Sequence, residues 1–223
     1  MALQRPKSLR ELALEFLRER IIDGTFQMGQ VLSERKISEE LGVSKSPVRE
    51  ALAQLRDEGL VHIEPQKGAR VFNLTENEVV QICDFRQAIE SASFELALQR
   101  NRAGLAADME NVVEMMAISK AKNDDDAYIA LDNQFHQLIF EHADNYYLAA
   151  SYSRYAGKIA ALRKLLSRVP KHTDLSFNEH KAIIRAVHSG DLSTIKKLLA
   201  EHIDRTRKAY NMALSSLHAS DDK

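Results

Sequence analysis

Apolar positions along the chain recur with two different periods. From Ser8 to Asp23, Leu9, Leu12, Leu14, Phe16, Leu17 and Ile21 give a helical stripe, and Ser8 with Glu11 has the spacing of a capping box. Gly24 to Gly29 break that pattern. Ser33–Leu41 and about Lys45–Glu58 then read as two further helices across the turn Gly42-Val43-Ser44, and Gly59 takes the C′ position that favours left-handed backbone. Leu60–Glu64 and Ala69–Phe72 read as two short strands around the tight turn Pro65-Gln66-Lys67-Gly68. From Thr75 the period is helical, with helices predicted near 75–100, 102–122, 125–143, 146–168, 175–188 and 192–216. Thr75 with Glu78 forms a second capping box, and Asp124, Ser176 and Asp191 are N-cap signals. The expected fold is therefore mostly α. A small helical module with a β-hairpin spans residues 1–73, an all-α antiparallel bundle spans 74–217, and a polar tail, 218–223, is expected to fray. The boundary falls near Asn73-Leu74 with almost no linker.

Composition narrows this further. The 223 residues include only 8 Gly and 4 Pro, too few turn formers for a long sandwich or barrel. The single cysteine, Cys83, excludes an intrachain disulfide and Cys-rich zinc modules, and it suits a reducing cytoplasm. Met1–Arg20 has no apolar signal core, and no run approaches the roughly 18 apolar residues that a bilayer span requires, so no membrane partner is expected. The net charge of -1 excludes a polycation. Residues 1–75 hold 12 Lys/Arg and 11 Asp/Glu, a net of +1, so any basic surface there is local.

Ser33 to Leu52 has helix-turn-helix spacing, with Ile37, Leu41, Val43, Val48 and Leu52 as the buried set, Ser44 as N-cap and Pro47 early in the second helix. That leaves Lys45, Ser46 and Arg49 at the N-terminal end of the second helix, the end that enters a major groove. Arg35 is placed to grip the backbone, and Lys67 and Gly68 at the hairpin tip to reach the minor groove. A charged helical hairpin with no ligand is the plainer alternative. The hairpin of strands, in the right order after the helices, favours DNA.

In the bundle, Asp132 and His136 stand at i, i+4 and share a helix face. His180 and His202 lie about ten residues before and about twelve after the turn at Ser189-Gly190, so antiparallel packing of the last two helices puts them at similar heights. One carboxylate and three imidazoles then converge, a donor set suited to Zn²⁺, Ni²⁺ or a similar divalent ion. Ordinary hydrogen-bonded core histidines are the other reading of the same residues. His62, His142, His172, His188 and His218 are read as surface or structural.

Residues 8–72 resemble the winged helix-turn-helix of the GntR family of bacterial transcription regulators, through Leu32-Ser-Glu-Arg35, Leu41-Gly-Val-Ser44, Pro47-Val-Arg-Glu-Ala-Leu52, Leu55, Gly59-Leu60 and Gly68. Lys45 and Ser46 stand where Arg and Thr are common, and Lys keeps the charge but loses the planar fork. Residues 75–215 resemble the FCD effector domain of the FadR subfamily, through Phe85-Arg-Gln-Ala-Ile-Glu90, Asp132-x-x-Phe-His136, Glu179-His180-x-x-Ile183, Ala186, Gly190-Asp191 and His202, and six helices look like the VanR-type subgroup. The resemblance implies DNA contacts at Arg35, Lys45, Arg49 and Gly68, a metal at Asp132, His136, His180 and His202, and an acidic effector met by Arg86. An ion pair of Arg86 with Glu90, one turn away, is its structural alternative. Tyr128, Asn133, Arg154, Tyr155, Arg163 and Asn178 are further candidates to line the pocket.

The expected function is a DNA-binding repressor, a homodimer on a palindromic operator, modulated by a small organic acid. A metal-responsive regulator is the alternative. A metal-dependent hydrolase is disfavoured, since the sequence has no Gly-rich phosphate loop, no Gly-x-Ser-x-Gly and no His-Glu-x-x-His.

Overall fold

The computed structural model describes residues 6–64, 66–167 and 169–221, with side chains as far as Leu214. Its elements run α1 (Leu9–Ile22), β1 (Val31–Leu32), α2 (Glu34–Leu41), α3 (Lys45–Asp57), β2 (Val61–Glu64), β3 (Gly68–Val71), α4 (Glu76–Ala121), α5 (Asp125–Ala143), α6 (Tyr146–Leu166), α7 (His172–Ser189) and α8 (Leu192–Asp221). They form two compact units, Met1–Leu74 with Arg154–Ala161, and Thr75–Ser153 with Leu162–Lys223.

In the first unit both halves of the Ser8–Glu11 capping box are made. The two strands read from the alternation, β2 and β3, pair antiparallel with Val61 opposite Val71 and Glu64 opposite Gly68. A third strand, β1, adds to the other edge of β3. At two residues it is too short to leave an alternating pattern in the sequence. The core is built from Leu17, Ile21, Ile37, Val48, Leu52, Leu55, Leu60 and Phe72. Leu9 and Leu12 fall off this buried face, and Leu41 and Val43 are only half-buried. Gly42 and Gly59 both hold left-handed backbone, at φ 65° and 73°, which turns α2 into α3 and α3 into the hairpin. Ser44 is the N-cap residue of α3, although its side chain makes no capping hydrogen bond.

The second unit is helical throughout. The Thr75–Glu78 box starts α4. The expected break near residue 101 is a kink: Asn101 leaves the helical region (φ −153°, ψ 55°) and its Oδ1 caps the following segment by accepting from Gly104 N at 3.2 Å. Asp124 caps α5, and Asp191 accepts from the Thr194 backbone and hydroxyl at the start of α8. The expected cap at Ser176 is not formed. Helix α7 starts earlier, at His172 after a left-handed Lys171, and Ser176 is buried inside it. Helix α8 runs to Asp221, into the stretch expected to fray, while Asp222 and Lys223 lie outside the described residues. Among the described residues no helix is long and apolar enough to cross a membrane.

Two leucines of the sequence stripe separate core from surface. Leu52→Ala, at a position 1% exposed, is expected to lower stability by about 2–5 kcal/mol. Leu12→Ala, at a position 46% exposed, should change it by no more than about 0.5 kcal/mol. Urea denaturation followed by circular dichroism measures both.

Candidate functional site

The first unit presents its expected DNA residues at its surface. Arg35 lies on α2, and Lys45, Ser46 and Arg49 lie on the first turns of α3, all exposed. Lys67 and Gly68 are exposed at the hairpin tip, where Gly68 holds φ 86° with nothing within 4 Å of an added Cβ. Its substitution is therefore disfavoured by backbone strain and not by crowding. Most of the cations already have carboxylate partners. Arg49 Nε donates to Glu34 Oε2 at 2.7 Å, Lys67 Nζ meets Glu64 at 2.8 Å, and Arg35 sits 3.5 Å from Glu39. Such exposed pairs are worth little in water and exchange readily for phosphate or base.

The second unit gathers the histidines. His136 on α5, His180 on α7 and His202 on α8 are all buried, and one ring nitrogen from each lies within 4.8 Å of the other two. The ring centroids are 5.2–5.4 Å apart, and Phe135 stacks on His180 at 4.1 Å. The helix faces follow from the sequence: His136 lies next to the fully buried Phe135, and His180 precedes the buried Ile183 and Ile184 by a turn.

Carboxylates hold two of the rings from behind. Glu90 Oε2 lies 2.8 Å from His136 Nδ1, and Glu179 Oε2 lies 2.7 Å from His202 Nδ1. A carboxylate accepts, so each Nδ1 carries the proton and each Nε2 keeps its lone pair for another partner. His136 Nε2 and both nitrogens of His180 are buried with no hydrogen-bond partner among the described residues. Burial pushes His136 well below the usual imidazole value, with Arg163 and Arg86 adding to the effect, and pushes His180 down to about 3. These rings are neutral at pH 7, the form that ligates a metal.

Asp132 stands beside the cluster. Its Oδ2 forms an ion pair with Arg163, 2.9 Å from Nε, and its Oδ1 lies 3.7 Å from His180 Nε2. Burial alone would raise its carboxyl, but the Arg163 charge and then the neighbouring imidazoles outweigh this and hold it well below the usual carboxylate range. Arg86, 1% exposed, has Nε on Glu90 Oε1 at 2.8 Å, the ion pair weighed as its structural role. Its Nη1 and Nη2 have no partner among the described residues.

Some expected lining residues lie elsewhere. Arg154 and Tyr155 belong to the first unit, where Arg154 donates to the Asp57 carbonyl. Asn178 is exposed, since it falls on the outer face of α7, two residues before His180. Tyr128 is buried and donates to the Thr173 carbonyl, and Asn133 Oδ1 accepts from Arg163.

Sequence reasoning missed the supporting carboxylates. Glu179 also takes both arms of Arg205 at 2.6 Å, and Arg205 reaches His172 Nδ1 at 2.9 Å. Burial and then the Arg205 charge bring His172 down to about 4. Glu90 and His136 are 46 residues apart, and only helix packing joins them. Of the other histidines, His142 bridges Asn101 and Asp108, His188 pairs with Glu110, and His218 lies beyond the described side chains.

The chain matches the profile of bacterial regulatory proteins of the gntR family over residues 9–71 and that of the FCD domain over residues 81–205. It is 32% identical over 193 residues to the gluconate operon transcriptional repressor of Bacillus licheniformis, covering 84% of this chain and 79% of that one. It is 26% identical to a probable D-xylose utilization operon transcriptional repressor of Paenarthrobacter nicotinovorans, covering 85% and 83%. Among solved structures, E. coli McbR/YncC superposes with a TM-score of 0.79 at 19% identity, covering 93% of this chain and 99% of that one. A putative GntR regulator from Rhodococcus sp. RHA1 gives 0.78 at 21% identity, covering 94% and 99%. Both sequence relatives are named transcriptional repressors. With a winged DNA reader in front of an FCD bundle, the chain belongs to the GntR family and is a DNA-binding transcription regulator.

Proposed function

We propose that this regulator is a repressor that binds a palindromic operator as a homodimer, and that a small carboxylate metabolite, held at a metal site in the helical unit, modulates that binding. One observation carries the reading: three buried imidazoles from three helices, their ligating nitrogens within 4.8 Å of one another, with buried nitrogens left unpartnered. An unpartnered buried polar atom is costly, and three in one place suit a ligating cluster better than a core network. Nitrogens bound to one Zn²⁺ lie at most about 4.2 Å apart, so small ring rotations bring the three onto a single ion. Asp132 Oδ1 is the candidate fourth donor. Zn²⁺ or Ni²⁺ held there supplies a Lewis-acidic point for a carboxylate oxygen.

The protein's own residues do the rest. Glu90 and Glu179 fix the tautomers of His136 and His202 and hold their rings in place. Arg163 holds Asp132 ionised, and Arg86 offers two free guanidinium nitrogens to an acid. Regulation requires the acid to favour one arrangement of the two units over the other, by on the order of 1–3 kcal/mol. The relatives are named for a gluconate operon and a D-xylose utilization operon, one an acid and the other a neutral sugar, so the acid class rests on Arg86 and the histidine cluster and not on those names.

Two substitutions separate the roles of the units. Arg49→Ala is expected to weaken binding to a duplex selected from a random pool by roughly tenfold to a hundredfold, about 1–3 kcal/mol, with metal content unchanged. Mobility shift and elemental analysis read the two effects. His180→Ala is expected to remove most of the metal and abolish the response of DNA binding to added acids, while the apo protein still shifts the same duplex. Wild-type protein that takes up no Zn²⁺ or Ni²⁺ in equilibrium dialysis would exclude the metal site.

A further inference from the structure

The buried site carries an excess of donors and an even balance of charge. Its acids and bases cancel in pairs: Glu90 with Arg86, Asp132 with Arg163, and Glu179 with Arg205. The imidazoles are neutral as ligands. A divalent ion among the histidines therefore brings two positive charges that no side chain of the cluster offsets, inside a bundle where Arg86, Glu90, Asp132, Arg163, His136, His180 and His202 are all buried. Uncompensated buried charge is expensive, so whatever completes the site should bring the opposite sign in equal amount.

The unpartnered atoms agree. Arg86 Nη1 and Nη2 and Arg163 Nη2 can only donate, and they are buried without partners among the described residues. Arg86 spends its Nε edge on Glu90, so the two free nitrogens form an end-on fork, the geometry that holds a carboxylate bidentately. Arg163 is already engaged by Asp132, Asn133 and Tyr152, and offers a single donor, Nη2. Ser93 Oγ and Tyr210 Oη, both buried, are unpartnered as well, and Tyr210 lies within electrostatic reach of Arg86, Arg163 and Asp132. Arg86 and His136 share the carboxylate of Glu90, at 2.8 Å each, so the fork and the histidine cluster are one short ligand apart.

Building on the metal reading above, we infer that the site selects a dianion: a short dicarboxylate with one carboxylate at the histidine cluster and the other on the Arg86 fork, with Tyr210 donating to it. A monocarboxylate fills one pole only. It leaves either the fork or one of the two metal charges unmatched. The binding energy thus resides in the second acid group, and chain length is limited by the fixed separation of the two poles.

Calorimetric titration of the zinc-loaded full-length chain tests this, with succinate and glutarate against butyrate, valerate and gluconate. Zinc content is measured first. The expected result is that succinate or glutarate binds about tenfold or more tightly than any of the three monocarboxylates. Tyr210→Phe, a change that removes one hydroxyl, is expected to weaken the dicarboxylate by about threefold to tenfold without changing zinc content. Stoichiometric zinc with butyrate, valerate or gluconate binding as tightly as the dicarboxylates, or with neither class binding, overturns the dianion inference and leaves the metal site standing. A chain that takes up no zinc overturns the reading beneath it as well.

Discussion

Glu90 is completely buried on α4 and accepts on both oxygens, from Arg86 on its own helix and from His136 on α5. A carboxyl group is tolerated in such a place only with charge and hydrogen bonds to answer it. Removing Arg86 would strand the carboxylate. Removing Glu90 would strand a guanidinium and free His136 to turn. One interaction therefore fixes the orientation of the His136 ring, the direction of the Arg86 guanidinium and the packing of α4 on α5. Glu179 repeats the device on α7, taking His202 and Arg205 from α8. Burial alone would raise the Glu179 carboxyl, but hydrogen bonds from His202 and Arg205 reverse this and hold it low. Each imidazole behind which a carboxylate sits is thus aimed inward, and His180, lacking one, is held by the stack of Phe135 instead.

The sequence made the scaffold legible because its signals are local. Capping boxes at Ser8 and Thr75, left-handed turns at Gly42 and Gly59, and the break near residue 101 all depend on residues a few positions apart. The His180–His202 pairing was legible too, since a tight turn at Gly190 fixes the register of two antiparallel helices. Contacts set by packing alone were not. Nothing near Glu90 announces His136, 46 residues away, and nothing near Asp132 announces Arg163. The misplaced features have the same cause. Leu9 and Leu12 fit a stripe on one helix, but the stripe is wider than the face that the neighbours cover. Ser176 is a good capping residue that lies five residues after the observed N-cap, Lys171, whose left-handed backbone starts α7 earlier.

The DNA reader has a different economy. Its face relies on a few exposed cations over a nearly balanced charge, and Arg35, Arg49 and Lys67 each have a carboxylate partner of their own. These partners are in water, so exchanging them for phosphate or base costs little. They do reduce the attraction to arbitrary duplex, which rests on free positive charge and counterion release. A reader built this way gains its grip from base contacts, and from a second recognition helix if it pairs as proposed, and less from bulk electrostatics.

Under the proposed function, that economy sets how strong an effector's signal must be. A reader held by dense phosphate contacts would need many kcal/mol to be dislodged. One with a few specific contacts per half-site is released when the population of its DNA-competent arrangement falls about tenfold to a hundredfold, which is 1–3 kcal/mol of differential effector binding. A buried site in which an ion and an acid complete each other's charge can supply a difference of that size, because a small change in how Arg86 or His136 is held alters a low-dielectric interaction and not a screened one. On the proposed reading, a sensor in the interior and DNA contacts in solvent match a strong, short-range switch to an interface weak enough to follow it.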